Sequence, residues 1–278
     1  MKRPSVLTIA GSDSGGGAGI QADLKAFAFL GVHGASAITA ITAQNSRAVT
    51  DVFALPAPIV EAQIDTVMSD LRPEVVKIGM LGTASLVRLV AAKLRQWTPR
   101  EIVLDPVMIA SSGARLLEED AVEALRDELV PLATLVTPNW PEAGILLGRT
   151  LGGMEEVESI AGGFAALGAP RVLLKGGHLP GRMLVDMLID GPRRIEYRHL
   201  RIDEAEGHGT GCALASAVAA GLARGNSIDD AVRIATDLVH QALVDRYATG
   251  ASKPVYLGFV SEPSEAEERK KGRPGALR

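Results

Sequence analysis

One cysteine in 278 residues, Cys212, excludes an intrachain disulfide and fits a reducing compartment. Basic charge is not in excess. With 29 Lys and Arg against 33 Asp and Glu, the net charge is −4. Neither a face for nucleic acid nor a polybasic membrane patch is expected. No apolar stretch has the form of a signal peptide or a membrane span, and Met1-Lys2-Arg3-Pro4 runs straight into a short strand pattern. The expectation is a cytoplasmic protein that makes no use of a membrane. Internal repeats, low-complexity segments and an interdomain linker are also missing. So is the G-x-x-x-x-G-K-[ST] loop, which excludes a P-loop nucleotide enzyme.

What remains is a chain that is 47% hydrophobic and 22% charged, ordinary for a soluble globular protein. A single domain is expected over residues 1–260. The tail 261–278 is charged, carries Gly and Pro, and is expected to be a mobile extension.

Short β-branched runs alternate with helical patterns. Strands are predicted at Val6–Ala10, Ser36–Thr42, Val75–Ile78, Ile102–Leu104, Leu135–Val136 and Arg171–Leu174. A hairpin is predicted for Leu184–Ile189 and Arg194–Tyr197, split by Asp190-Gly191. Helices are predicted between them, among them Gly19–Leu30, Ile59–Leu71, Glu118–Val130, Met154–Leu167, Thr210–Arg224 and Ile228–Tyr247. Ser227, with Asp230 three residues on, marks the start of the last. The alternation predicts an α/β fold with a mostly parallel sheet covered by helices on both faces.

Nearly every strand ends in polar or glycine-rich residues. Gly11 to Gly17 follow the first strand and Gln44-Asn45-Ser46 the second. Lys77-Ile-Gly79-Met80-Leu81, Asp105-Pro-Val-Met108, Thr137-Pro-Asn139 and Lys175-Gly-Gly-His178 follow later ones. In a parallel sheet these ends share one edge, which is where ligands bind.

Gly207-His208-Gly209-Thr210-Gly211-Cys212 precedes the small-residue run Ala213 to Ala220. Glycines before a helix start leave N–H groups free to hold an anion, phosphate above all. Cys212 on that first turn would feel the positive end of the helix dipole, so its pKa is expected to fall. An anion hole with a base inside it suits phosphoryl transfer to an alcohol. The plain alternative is that Cys212 is a buried small hydrophobe.

Residues Gly17 to Ala22 also fit the relaxed G-x-G-x-x-A dinucleotide fingerprint, but Gln44 stands where that motif expects an acid. Three consecutive glycines exceed the needs of a plain turn and suggest close approach to a ligand. Asp23 either offsets the dipole of its own helix or, with Gln44, offers groups that suit an amino-bearing nitrogen heterocycle. Asp105 and Glu142 are candidate Mg²⁺ holders, or else a turn acceptor and a helix cap. Lys175 can reach a nucleotide phosphate, or is a surface lysine.

Together, the run from Thr8 to Lys25, Ala43-Gln-Asn45, Lys77 to Leu81, Asp105 to Met108, Thr137 to Asn139 with Glu142, Leu174 to His178 and His208 to Cys212 resemble hydroxymethylpyrimidine/phosphomethylpyrimidine kinases of the ribokinase superfamily. The resemblance spans about Ser5 to Tyr247. It implies a three-layer αβα ribokinase-like fold and a homodimer. The activity it implies is two successive Mg²⁺–ATP phosphorylations in thiamine biosynthesis, from alcohol to monophosphate to diphosphate. By the same resemblance Cys212 is the catalytic base, with Gly209, Thr210 and Gly211 as the anion hole. Gln44 and Asp23 hold the pyrimidine, and Gly11, Ala18, Met80 and Val107 line its pocket. Asp105 and Glu142 serve the metal, and Lys175, Asn139 and Glu142 the nucleotide phosphates.

Three departures fall on or near the expected nucleotide side. Ser111 stands where the family usually carries lysine. Glu204 to Gly207 replace a Thr/Asn-rich approach, and Gly250 to Pro254 lack the usual glycine-proline-histidine ending. The same scaffold would also suit a pyridoxine or pyridoxal kinase. A non-catalytic binding protein is a third reading. Such a protein is expected to have lost Cys212, Lys175 or the Gly-Thr-Gly turn, and all three are present.

Overall fold

The computed structural model describes residues 3–45, 47–110, 113, 115–179, 181–202 and 209–245. Among these, nine strands form one sheet in the order β3-β2-β1-β4-β5-β6-β7-β8-β9. The parallel centre comprises β1 (Ser5–Asp13), β2 (His33–Gln44), β4 (Val75–Ile78), β5 (Glu101–Leu104), β6 (Leu135–Val136) and β7 (Arg171–Leu174). Antiparallel strands close the two edges: β3 (Val49–Ala54) on one side, and the hairpin β8 (Met183–Asp190) and β9 (Arg193–Leu200) on the other.

The central strands are buried on both faces. In β1, Leu7 and Ile9 point into one hydrophobic layer while Val6 points into the other. The first layer is covered by α2 (Ala57–Asp70), α3 (Ala84–Trp97), α4 (Glu119–Ala124), α5 (Trp140–Leu147) and α6 (Val157–Ala166). The second is covered by α1 (Gly19–Phe29), α7 (Thr210–Ala223) and α8 (Ile228–Val244). The helix α7 runs through the middle of this layer, against α1, α8 and the sheet. Every residue from Ala213 to Leu222 is buried, and small side chains are what allow so close an approach on all sides.

The predicted strand–helix alternation matches this architecture. The differences are local and have physical causes. β3 carries no strand signal in the sequence, because five of its six residues are exposed and no alternating apolar face marks it. The predicted helix 118–130 is α4 followed by a π-helical turn, Leu125–Leu129, and a 3₁₀ turn, Val130–Leu132, around Pro131. Residues Met154–Glu156 form a 3₁₀ turn ahead of α6. The start of α8 is as read: the Ser227 hydroxyl accepts the Asp230 N–H. Tyr247 and the tail 261–278 lie outside the described residues.

Candidate active site

The carboxyl ends of the strands open into one cavity of about 640 Å³. Its walls include the first loop, Gln44, Met80, Asp105, Lys175 and the start of α7. The strand-end residues that looked unusual in sequence are therefore neighbours, as a parallel sheet requires.

The first loop is built around Asp13, which no sequence motif singled out. Its buried carboxylate accepts the N–H groups of Gly15 (2.8 Å), Gly17 (3.0 Å) and Ala18 (2.7 Å). Those N–H groups are thereby taken up within the loop. This removes the basis for a dinucleotide reading of Gly17 to Ala22, in which backbone N–H groups face a pyrophosphate.

At this end of the cavity Gln44 closes β2. Its main chain is tied to Ser14 by reciprocal 2.8 Å bonds, and its side-chain oxygen accepts from the Thr42 hydroxyl at 3.2 Å. The amide nitrogen has no partner among the described residues. Gly11, Ala18, Met80 and Val107 line the same region.

Asp23 is a correction. It is fully buried and forms no part of the cavity wall. Its carboxylate accepts from Thr8 Oγ1 (2.6 Å), Ser216 Oγ (2.6 Å) and Lys77 Nζ (2.8 and 3.0 Å). With four bonds already accepted and no path to the cavity, it has nothing to offer a heterocycle. Its position one turn into α1 turns it towards β4 and α7 instead.

At the opposite end, Lys175 stands 2.8 Å from Asp105 and 3.6 Å from Glu142. The Thr137 hydroxyl donates to the same Asp105 oxygen at 3.3 Å. Asn139 and Glu142 form a reciprocal cap on α5: each side chain accepts the other's backbone N–H at 2.8 Å. The capping reading of Glu142 is thus correct, and the same carboxylate also faces Lys175. Burial pushes the Glu142 carboxyl up, with Lys175 pulling against it. Burial also works against the Lys175 charge, but Asp105 and Glu142 outweigh it and hold the ammonium firmly protonated.

The turn into α7 completes the cavity. Gly209 has φ +81°, and a Cβ there would lie 1.8 Å from the Gly17 carbonyl oxygen, so only glycine lets the two loops meet. Thr210, Gly211 and Cys212 follow it along the cavity wall. A Cβ at Gly211 would stand 3.2 Å from Lys175 Nζ, so the first turn of α7 lies beside that cation.

The thiol of Cys212 reverses the expectation. Burial pushes it up to about 12, and Asp105 and Asp23 add to this. Lys77 and the Gly19 N–H act in the other direction without prevailing. The partial charge of a helix start is small beside the cost of ionising a sulfur walled off from water.

Lys77 stands among the polar strand ends in the sequence reading, which gives it no role of its own. It sits inside the otherwise apolar strand β4, is fully buried and lines the cavity. A lysine flanked by Val75, Val76 and Ile78 was the available signal. His199, Arg201 and His240 also line the cavity, and no motif marked them. Arg201 donates to the carbonyls of Gly177, Leu179 and Gly181, which secures the loop after Lys175. Ser111, Glu204 to His208 and Gly250 to Pro254 lie outside the described residues. Among the described residues no three His, Cys, Asp or Glu side chains gather as a metal cage.

Comparisons with known proteins find similar sequences and structures. The family described as phosphomethylpyrimidine kinase matches residues 13–255. A hydroxymethylpyrimidine/phosphomethylpyrimidine kinase of Rhizobium meliloti is 50% identical over 254 residues, covering 90% of this chain and 95% of the relative. A solved phosphomethylpyrimidine kinase from Clostridium difficile 630 superposes with a TM-score of 0.77 at 40% identity, covering 86% of this chain and 99% of that one. A pyridoxal kinase of Bacillus subtilis in an ADP complex gives a TM-score of 0.83 at 34% identity, covering 91% and 97%.

Proposed function

The chain belongs to the phosphomethylpyrimidine kinase family, and from that membership we propose its reaction. It transfers the γ-phosphoryl group of ATP to 4-amino-5-hydroxymethyl-2-methylpyrimidine, and then a second phosphoryl group to the monophosphate, within thiamine biosynthesis. The observation that carries the reading is the polarity of one cavity. An amide nitrogen on Gln44 with no partner among the described residues and apolar walls stand at one end, and Lys175 stands beside the start of α7 at the other.

A planar amide both donates and accepts, which matches the ring nitrogen and exocyclic amine of an aminopyrimidine. Gly11, Ala18, Met80 and Val107 enclose the ring. Gly209, Thr210 and Gly211 present backbone N–H groups to the phosphoryl group in flight, and Lys175 offsets its charge. The hydroxyl proton of the first acceptor passes to Cys212 in its thiolate form, a small fraction at neutral pH because burial holds the thiol high. In the second step the acceptor is a phosphate oxygen that is largely ionised at neutral pH, so charge neutralisation matters more than a base.

Mg²⁺ fits the donor set. Asp105 and Glu142 converge on a single ammonium, which leaves one negative charge beside the anion hole, and Mg²⁺ is commonly held by one or two carboxylates plus substrate phosphates. When bound, the ion neutralises charge on the donor phosphates. Asn139 orders Glu142 for that task through the cap.

We place the enzyme in the cytoplasm as a homodimer that binds no nucleic acid. No helix among the described residues is long and apolar enough to cross a membrane. Exposed Ile41 and Phe53, paired across β2 and β3, offer an apolar face for a second copy. Phosphorylation of pyridoxal is the second reading, favoured by the likeness to pyridoxal kinases. ATP consumption with the pyrimidine alcohol, its monophosphate and pyridoxal side by side tests both. Turnover of pyridoxal alone would sink the first.

A further inference from the structure

Lys77 is an ammonium in a place where burial is expensive. Replacing a buried ion pair by apolar residues is often neutral or even stabilising, so stability alone gives little reason to keep one. Asp23 takes two of the three N–H groups of Lys77, at 2.8 and 3.0 Å, and the rest of the Asp23 carboxylate is taken up by Thr8 and Ser216. The third N–H has no acceptor among the described residues, and Lys77 forms part of the cavity wall. Glycine at position 79 leaves the space beside it unfilled. A Cβ at Gly79 would lie 2.9 Å from Lys77 Nζ and 3.0 Å from Ala10 Cβ. Met80 and Gly11 lie on one side of this point. On the other lies β5, which leads into Asp105 and neighbours β4 in the sheet as β1 does on the Gly11 side, and the Asp105 carboxylate supports the Lys77 charge. A fixed cation therefore stands where the ring end of the cavity meets the phosphoryl end.

We propose that Lys77 is a further catalytic residue, which donates its free N–H to the oxygen that receives the phosphoryl group. This rests on the kinase reading above. As the bond from that oxygen to the γ-phosphorus forms, the bond from phosphorus to the β–γ bridging oxygen breaks, and its electron pair leaves on ADP. The hydroxyl proton of the first acceptor goes to the Cys212 thiolate, which becomes the thiol. Lys77 neither gains nor loses a proton. It holds the negative charge that gathers on the acceptor oxygen, and Asp23 keeps it in place. In the second step the acceptor arrives already anionic, so the fixed cation matters more.

The test separates catalysis from support. Lys77→Met/Asp23→Asn replaces the ion pair with a neutral pair, and Lys77→Gln keeps a donor to Asp23 without the charge. Thermal unfolding is measured beside the steady-state kinetics of each phosphorylation, with pyridoxal as a further alcohol acceptor. The double variant is expected to melt within about 5 °C of wild type, because no unpaired charge remains buried. Its kcat on the alcohol is expected to fall about 100-fold, and on the monophosphate about tenfold further, on the scale of a lost transition-state donor. A folded double variant that keeps both kcat values within threefold of wild type overturns the proposal. If the double variant does not fold, the kinetics of Lys77→Gln decide by the same criteria. Wild type that uses pyridoxal and not the pyrimidine sinks the substrate reading alone, and the Lys77 comparison then runs on pyridoxal.

Discussion

Lys175 and Asp105, 70 positions apart in the chain, meet at 2.8 Å where β5 and β7 end at the same edge of the sheet. The Lys175 backbone N–H is held by the Pro138 carbonyl at 2.9 Å, which sets the point from which the side chain reaches. The ammonium is shared with Glu142. Its removal would leave two carboxylates beside the start of α7, repelling the donor phosphates. Lys175→Ala is accordingly expected to lower kcat for both phosphorylations by about 10²–10³ and to raise KM for ATP. Equal kinetics in the variant would make Lys175 a partner of Asp105 and nothing more.

Thiolate is the form of Cys212 that reacts with alkylating agents. With the thiol pushed up to about 12, its ionised fraction in the unliganded enzyme rises tenfold per pH unit through neutrality. Labelling by iodoacetamide is expected to accelerate steadily with pH and to show no plateau below about pH 10. A plateau near pH 7 would mean that the helix start and Lys77 dominate after all. Cys212→Ala is expected to reduce kcat on the alcohol by about 10²–10⁴ while ATP binding persists, and to cost the second step less.

Gln44 is tied down by its main chain, and its amide nitrogen has no partner among the described residues. Gln44→Leu would leave polar groups of a bound aminopyrimidine unpaired, at a cost of about 1–3 kcal/mol. KM for the pyrimidine alcohol is expected to rise about tenfold, with KM for ATP nearly unchanged. A parallel rise in both would assign Gln44 to the fold of the β2 end.

Asp23 is expected to behave as the partner of a buried charge. Asp23→Ala strands Lys77 and is expected to destabilise the protein by about 3–5 kcal/mol in chemical denaturation. If instead stability were unaffected and only KM for the pyrimidine rose, Asp23 would be a ring ligand and the network with Thr8, Lys77 and Ser216 would be incidental.

Much of this site was legible because its logic is topological. Once β and α segments alternate, the strands run parallel, and Gln44, Asp105, Asn139 and Lys175 must share an edge whatever their sequence separation. Gly209 could be read as a special backbone position from its context, and the capping pairs Ser227–Asp230 and Asn139–Glu142 are local enough to be seen as spacing. These features depend on chain connectivity and short-range geometry, which the order of residues alone determines.

The tertiary structure decided whatever depended on burial and on which groups meet across the layers. Asp23 looked equally suited to a ligand or a dipole, and only the packing of α1 against β4 and α7 turned it to Lys77 and Ser216. The same packing gave the lysine in β4 a role. The helix start predicted a lowered thiol pKa, and desolvation reversed its sign, because the loss of water around a buried sulfur outweighs a partial charge at the end of a helix. Solvent exclusion is a property of the assembled walls, to which residues from β1 to α7 contribute together, and no stretch of sequence contains it.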